Sequence, residues 1–210
     1  DHFAQKGFRC GAGERRMIPV NILAVRYLAN ASPALCQALG APAGYPSLGL
    51  LTTDCDDATY IALDAATKAA DVKVCYGRSF YAGAANAITP NAGEVIGVLS
   101  GRTPGAVRSG MDAALSALER LGFESAGEVP YLAHTVSSCG SFLASEAGVA
   151  QGAALAYLIA PPLESMYAMD AAMKASDVML CKLYSPPSET NFGGGLLTGT
   201  RSACAAACEA

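Results

Sequence analysis

Two stretches, DAATKAADVKVC (Asp64 to Cys75) and DAAMKASDVMLC (Asp170 to Cys181), say nearly the same thing 106 positions apart. Aligned without a gap, residues 60–75 and 166–181 are identical at nine of sixteen positions. Ala62, Asp64, Ala65, Ala66, Lys68, Ala69, Asp71, Val72 and Cys75 recur as Ala168, Asp170, Ala171, Ala172, Lys174, Ala175, Asp177, Val178 and Cys181. Chance does not produce such a run, so the chain carries an internal duplication. In each copy the alanine-rich part predicts a helix, ending near Asp71 in the first. A strand follows, in which Val72 and Val74 alternate with Lys73 before Cys75.

The match resumes downstream. GEVIGVLSGRTPGAVRSGMDAAL (Gly93 to Leu115) corresponds to GGLLTGTRSACAAACEA (Gly194 to Ala210), with Leu99-Ser100-Gly101 over Leu197-Thr198-Gly199. The offset has fallen to 98, so the intervening loop is eight residues shorter in the second copy. Each copy predicts strand, helix, strand, variable loop, strand, helix. Upstream, IPVNILAVRYLAN (Ile18 to Asn30) and VPYLAHTVSSCGSFLAS (Val129 to Ser145) each predict another strand and a short turn or helix. Two α+β domains in tandem follow, at residues 17–126 and 127–210, divided in LGFESAGEVP and preceded by an N-terminal extension of residues 1–16. The opening at Asp1, with no leader pattern, reads as a processed or truncated product, and the short last helix reads as continuing past Ala210.

Composition sets outer bounds. With 52% hydrophobic and 15% charged residues the chain has ample material for buried cores. A net charge of -4 with scattered Lys and Arg gives no footprint for nucleic acid. Gly, Pro or charge interrupts every apolar stretch, so no membrane span is predicted. None of the eight cysteines forms a C-x-x-C pair, and several sit among Ala or Val, where a thiol acts as a small apolar group. Reduced, structural cysteines and no metal are expected. Cys204 and Cys208 lie one helical turn apart, but the only histidines, His2 and His134, are far away in sequence.

The motifs reduce mostly to local structure. SGRTPGAVRSG lacks the phosphate-loop pattern, and Thr103 before Pro104 reads as an N-cap with proline at the first helical position. In TTDCDDATY, Asp54, Asp56 and Asp57 precede a helix, where carboxylates satisfy free N–H groups and the dipole. Glu164 and Glu189 are further carboxylates beside Pro-fixed turns; convergence with Asp56 and Asp57 would suit a small cation. Lone His134 among serines is a structural residue more readily than a base, and no nucleophile elbow or dinucleotide fingerprint is present. No enzyme and no cofactor are predicted. The loops YGRSFYAGAANAITPNAG (Tyr76 to Gly93) and YSPPSETNFGGG (Tyr184 to Gly195) fill the same slot in the two copies and are too long and mixed to be inert.

These segments, together with SLGLLTTDCDDATYIALDAATKAADVKV, AGEVIGVLSG and YLIAPPLESMYAMDAAMKASDV, resemble the tandem-domain shell proteins of bacterial microcompartments, of the ethanolamine- and ethanol-utilisation branches. The resemblance covers about residues 17–210; the extension, with Cys10 and Arg15-Arg16, lies outside it and points to the ethanol branch. It implies a circularly permuted, ferredoxin-like shell domain repeated in tandem. Three chains would form a flat pseudohexamer that tiles, with other shell proteins, into the shell of a microcompartment in the cytoplasm. It implies that Lys68 and Lys174 sit at the tiling edge. Arg78, Ser79, Phe80, Tyr81, Ser188, Glu189, Thr190, Asn191 and Phe192 would line a gated central pore, with Gly77, Gly83 and Gly193 to Gly195 supplying freedom for the gate. Asp56, Asp57 and Glu164 would form a smaller pocket for a small polar ligand such as an amine. Two other classes stay open on the residues alone: a soluble small-molecule sensor on a duplicated domain, and a hydrolase using His134 with Ser137 or Cys139.

Overall fold

The computed structural model describes residues 16–80, 94–186 and 191–210. In chain order the elements are β1 (Arg16–Pro19), β2 (Ile22–Leu28), α1 (Pro33–Ala38), β3 (Ser47–Thr53), α2 (Asp56–Ala69), β4 (Val72–Ser79), β5 (Val95–Gly101) and α3 (Pro104–Leu118). Then come β6 (Gly122–Ala126), β7 (Val129–Val136), α4 (Ser141–Ala147), β8 (Ala154–Ala160), α5 (Pro162–Ala175), β9 (Val178–Tyr184), β10 (Gly193–Gly199) and α6 (Arg201–Glu209). Every strand pair is antiparallel, in two sheets ordered β2-β3-β5-β4 and β1-β6-β7-β8-β10-β9.

The duplication is exact in topology: β7-β8-β10-β9 repeats β2-β3-β5-β4. It also holds in register. Val98 faces Tyr76 and Leu99 faces Val74 across β4–β5, while Leu196 faces Lys182 and Leu197 faces Leu180 across β9–β10. Each ladder skips one residue, Cys75 in the first and Cys181 in the second. The repeated cysteine therefore occupies a β-bulge in both copies, and the strand runs on past the point where its alternation breaks.

The sheets do not divide where the repeat does. β1 and β6 hold equivalent places before β2 and β7, yet they pair with each other, and both extend the second sheet. Residues 16–19 and 122–126 thus belong to the sheet of the second copy, joined through the β6–β7 hairpin. One core cluster runs across both copies, from Leu51, Leu63, Leu99 and Met111 to Leu143, Leu155, Tyr157 and Leu196.

Local signals explain the helices. Thr103 accepts from the Ala106 N–H at 3.2 Å ahead of Pro104, the expected cap. Thr200 does the same for Ala203 at 3.1 Å. The glycines that open β10 serve close approach rather than loop freedom: a Cβ on Gly195 would come within 2.2 Å of the Lys182 carbonyl oxygen. Gly77 lies within β4 and Gly193 to Gly195 within β10; Gly83 lies outside the described residues.

One polar joint locks the copies together. Asp64, fully buried on α2, accepts from the N–H groups of Gly140 at 2.7 Å and Leu143 at 2.9 Å, capping α4 from outside. Beside it Thr67 accepts from the Ser141 N–H at 3.1 Å, and Lys68 donates to the Ser138 carbonyl oxygen at 2.9 Å. Gly140 is required here, since a Cβ would stand 2.2 Å from the Thr67 hydroxyl oxygen.

Candidate functional site

Where α2 of the first copy meets β8 and β9 of the second, a cavity of about 320 Å³ opens. Its acidic end is built by the first turn of α2. Asp56 accepts from the Asp57 N–H at 2.9 Å, the local arrangement expected of carboxylates at a helix start. Asp57 turns inward instead and accepts a hydrogen bond of 2.7 Å from the Tyr157 hydroxyl on β8. Tyr184 stacks beside Tyr157 with ring centroids 6.1 Å apart, and Lys182 lies 5.3 Å over the Tyr184 ring while pairing with Glu146 of α4. Tyr60 donates to the Ser79 hydroxyl at 3.1 Å and packs on Phe142 at 5.9 Å between centroids.

Burial dominates the electrostatics. It pushes the Asp57 carboxyl well above the usual aspartate range, and the Asp56 charge raises it further. Burial raises Asp56 too. The Tyr157 hydroxyl is held far above its ordinary value, first by burial and then by the Asp57 charge, so it stays a donor. Two adjacent carboxyls in a largely buried site hold a proton more tightly than free aspartates do. A small cation could take the place of that proton.

The candidate residues distribute as follows. Asp56 and Asp57 come together in the cavity wall; Glu164 lies exposed on the first turn of α5, outside that wall, and the wall's other carboxylate is Glu146. Ser79 and Phe192, the described stems of the two long loops, both reach this cavity. Arg78 is exposed on β4, and the Phe80 N–H donates to the Glu94 carbonyl oxygen at 3.0 Å, closing the base of the first loop. Asn191 stands at φ 64°, and Phe192 packs edge-on against Phe123 at 5.4 Å. Tyr81, Ser188, Glu189 and Thr190 lie outside the described residues. Lys68 is anchored within the chain, with Asp64 and Ser138, whereas Lys174 points outward and pairs with Asp170 at 2.6 Å.

Tyr60, Glu146, Tyr157, Lys182 and Tyr184 were not legible as site residues. Tyr157 carried a usable signal: a hydroxyl inside the apolar run ALAYLIA must find a buried partner. Burial and the Lys68 charge lower the His134 pKa, and among the described residues no hydrogen bond links it to Ser137 or Cys139. The seven described cysteines are free thiols. Among the described residues no three His, Cys, Asp or Glu side chains group as a metal site, and no helix is long and apolar enough to cross a membrane.

Comparison with known proteins agrees with this architecture. The BMC domain model matches residues 47–130. The microcompartment shell protein EutL of Clostridium perfringens is 54% identical over 92% of this chain and 91% of its own. The crystal structure of the ethanolamine utilisation protein EutL from Leptotrichia buccalis superposes with a TM-score of 0.90 at 55% identity, covering 93% of this chain and 92% of that one. EtuB from Clostridium kluyveri shares the fold, with a TM-score of 0.72 over 88% of this chain and 82% of its own, at only 20% identity. The sequence likeness thus lies on the ethanolamine side, not the ethanol side to which the extension pointed. The chain belongs to the EutL family of bacterial microcompartment shell proteins.

Proposed function

We propose that this shell protein works as a homotrimer, in which three chains with two like domains each imitate a six-membered ring and tile into the shell of a microcompartment. One observation carries the reading. The α2 face of the first copy is covered by the second copy, whereas the matching α5 face is bare: Leu163 is 73% and Tyr167 80% exposed. An uncovered face whose twin is an interface asks for another copy of the partner, and three such junctions close a ring. Native mass measurement should give three chains; a monomer at micromolar concentration would sink the proposal.

The ring's centre would be lined by the loops after β4 and before β10, including Arg78 to Tyr81 and Ser188 to Phe192, as a gated pore for substrates or cofactors of ethanolamine metabolism, or of ethanol metabolism. Asp56 and Asp57 would form the wall of a smaller pocket for a small amine, with Glu164 on the same helix turn of the other copy. Lys174, exposed and free to reorient, fits the tiling edge better than Lys68, which the internal joint employs. Lys174→Glu should therefore abolish layers in electron micrographs, with native mass measured alongside. Layers lost while trimers persist would assign Lys174 to the tiling edge, trimers lost as well would assign it to the ring junction that its twin Lys68 occupies within the chain, and unchanged layers would remove the edge role.

A further inference from the structure

The cavity between the copies carries charge in two places. Its buried end holds Asp56 and Asp57, with the Tyr157 hydroxyl bonded to Asp57. Its more open end holds Glu146 of α4, and that carboxylate is already taken. The Lys182 ammonium donates to it while lying 5.3 Å over the Tyr184 ring. A carboxylate on one side and an aromatic face on the other is how a cleft holds an alkylammonium. Lys182 is thus a primary ammonium seated in the cavity wall and tethered there by its own butyl stem.

This seat is not part of the common fold. The 106 offset puts Tyr76 and Arg78 where the second copy has Lys182 and Tyr184. The Ala31 N–H donates to the Pro46 carbonyl as the Cys139 N–H does to that of Ala153, and left-handed Gly40 and Gly148 follow the two short helices. These matches equate α1 with α4, so Ala38 stands where Glu146 does. The first copy therefore lacks the acid, the ammonium and the ring beneath it. The buried end departs from the repeat as well, since Pro162 and Leu163 replace Asp56 and Asp57. Both departures face one cavity. Stability alone does not account for the outer one, because Lys182 and Glu146 are each 39% exposed, where an ion pair contributes little.

We infer that Lys182 sets the charge of the ligand: it fills the second of two cation seats, so that the cavity takes a monoamine and refuses a diamine. The inference rests on the small-amine reading of Asp56 and Asp57 and adds its selectivity. A short monoamine places its ammonium at the buried acids and leaves the outer pair undisturbed. A diamine carries a second ammonium up to Lys182, where like charges meet in a half-enclosed site and compete for Glu146. Size does not decide, since about 320 Å³ stays open beside Lys182. Selection is by repulsion, and the repelling group is one side chain.

Calorimetric titration of the full chain near pH 7 and at low salt tests this, with propylamine and with straight-chain α,ω-diamines of three to five carbons. Wild type should bind propylamine at least tenfold more tightly than any of the diamines. Lys182→Met keeps a stem of similar length, removes the ammonium and frees Glu146. It should raise the affinity for at least one diamine tenfold or more and change that for propylamine less than threefold. Lys182→Gln repeats the loss of charge in case Met disturbs β9. Adding Glu146→Gln to Lys182→Met should cancel the diamine gain, which a mere loosening of β9 would not. A wild type that binds propylamine without preference, a diamine affinity that neither Lys182 variant raises, or a gain that survives Glu146→Gln would overturn the role of Lys182 and leave the amine pocket standing. No binding of propylamine to wild type would overturn both.

Discussion

Helix α2 and helix α5 share most of their sequence and end in opposite circumstances. α2 buries eight residues, among them Asp57, Ile61 and Asp64, while α5 buries Ser165, Met169 and Ala172 only. Their inward rows toward their own sheets are alike. What differs is the flank that meets the other copy. Asp64 and Asp170 make the contrast sharpest: the same residue in the same motif is fully buried under three donors in one helix and 61% exposed beside one lysine in the other. Burial, not identity, decides what a carboxylate contributes.

The strongest way to break this comparison is to delete both carboxylates. Asp64→Ala strands the buried Gly140 and Leu143 N–H groups and removes the carboxylate beside Lys68, which keeps its bond to Ser138, and should cost about 3 kcal/mol. Asp170→Ala removes an exposed i,i+4 pair and should cost at most about 0.5 kcal/mol. Urea unfolding at a concentration low enough to keep the chain monomeric measures both. Equal losses would mean that the joint at α4 does not hold the copies together.

Apolar positions sharpen it at a middle scale. Ile61 and Tyr167 are equivalent by the repeat, yet Ile61 is 6% exposed and Tyr167 80%. Ile61→Ala should destabilise the single chain by about 2–5 kcal/mol through lost burial and the cavity left behind. Tyr167→Ala should move it by about 0.5 kcal/mol or less, with any larger effect appearing only in the assembled protein. A large loss in the dilute single chain would show that α5 is already covered.

Much of this was open to sequence reading because the duplication put two samples of one fold side by side. The strand-helix-strand order, the change of offset to 98, the Thr103 cap and the Asp56-Asp57 helix start all follow from local pattern and spacing. The cross-pairing of β1 with β6 did not, since four residues of strand carry no signal about which edge they join. The cavity was half legible for the same reason. Asp56 and Asp57 stand out in TTDCDDATY, but Glu146, Lys182 and Tyr184 become neighbours only once the second copy is laid on the first. Glu164, singled out beside a Pro-fixed turn, lies on the first turn of α5, so within one chain it stands on the other copy from Asp56 and Asp57.

The first turns of the two helices give the finest test. Asp56-Asp57 in α2 stand where Pro162-Leu163 stand in α5, so only one junction buries acids. Because Asp57 is held above its ordinary value of 3.8, the folded chain binds its proton more tightly than the unfolded chain does. That preference stabilises the fold fully below the ordinary value and is lost as pH rises through the raised one. Asp57→Asn keeps an acceptor for Tyr157 and removes the charge, so it should gain stability over wild type near pH 7 and gain less, or nothing, near pH 4. Urea midpoints of the two proteins at both pH values measure the difference. An equal offset at the two pH values would mean that Asp57 titrates as it does in the unfolded chain and that the acidic end of the cavity is wet.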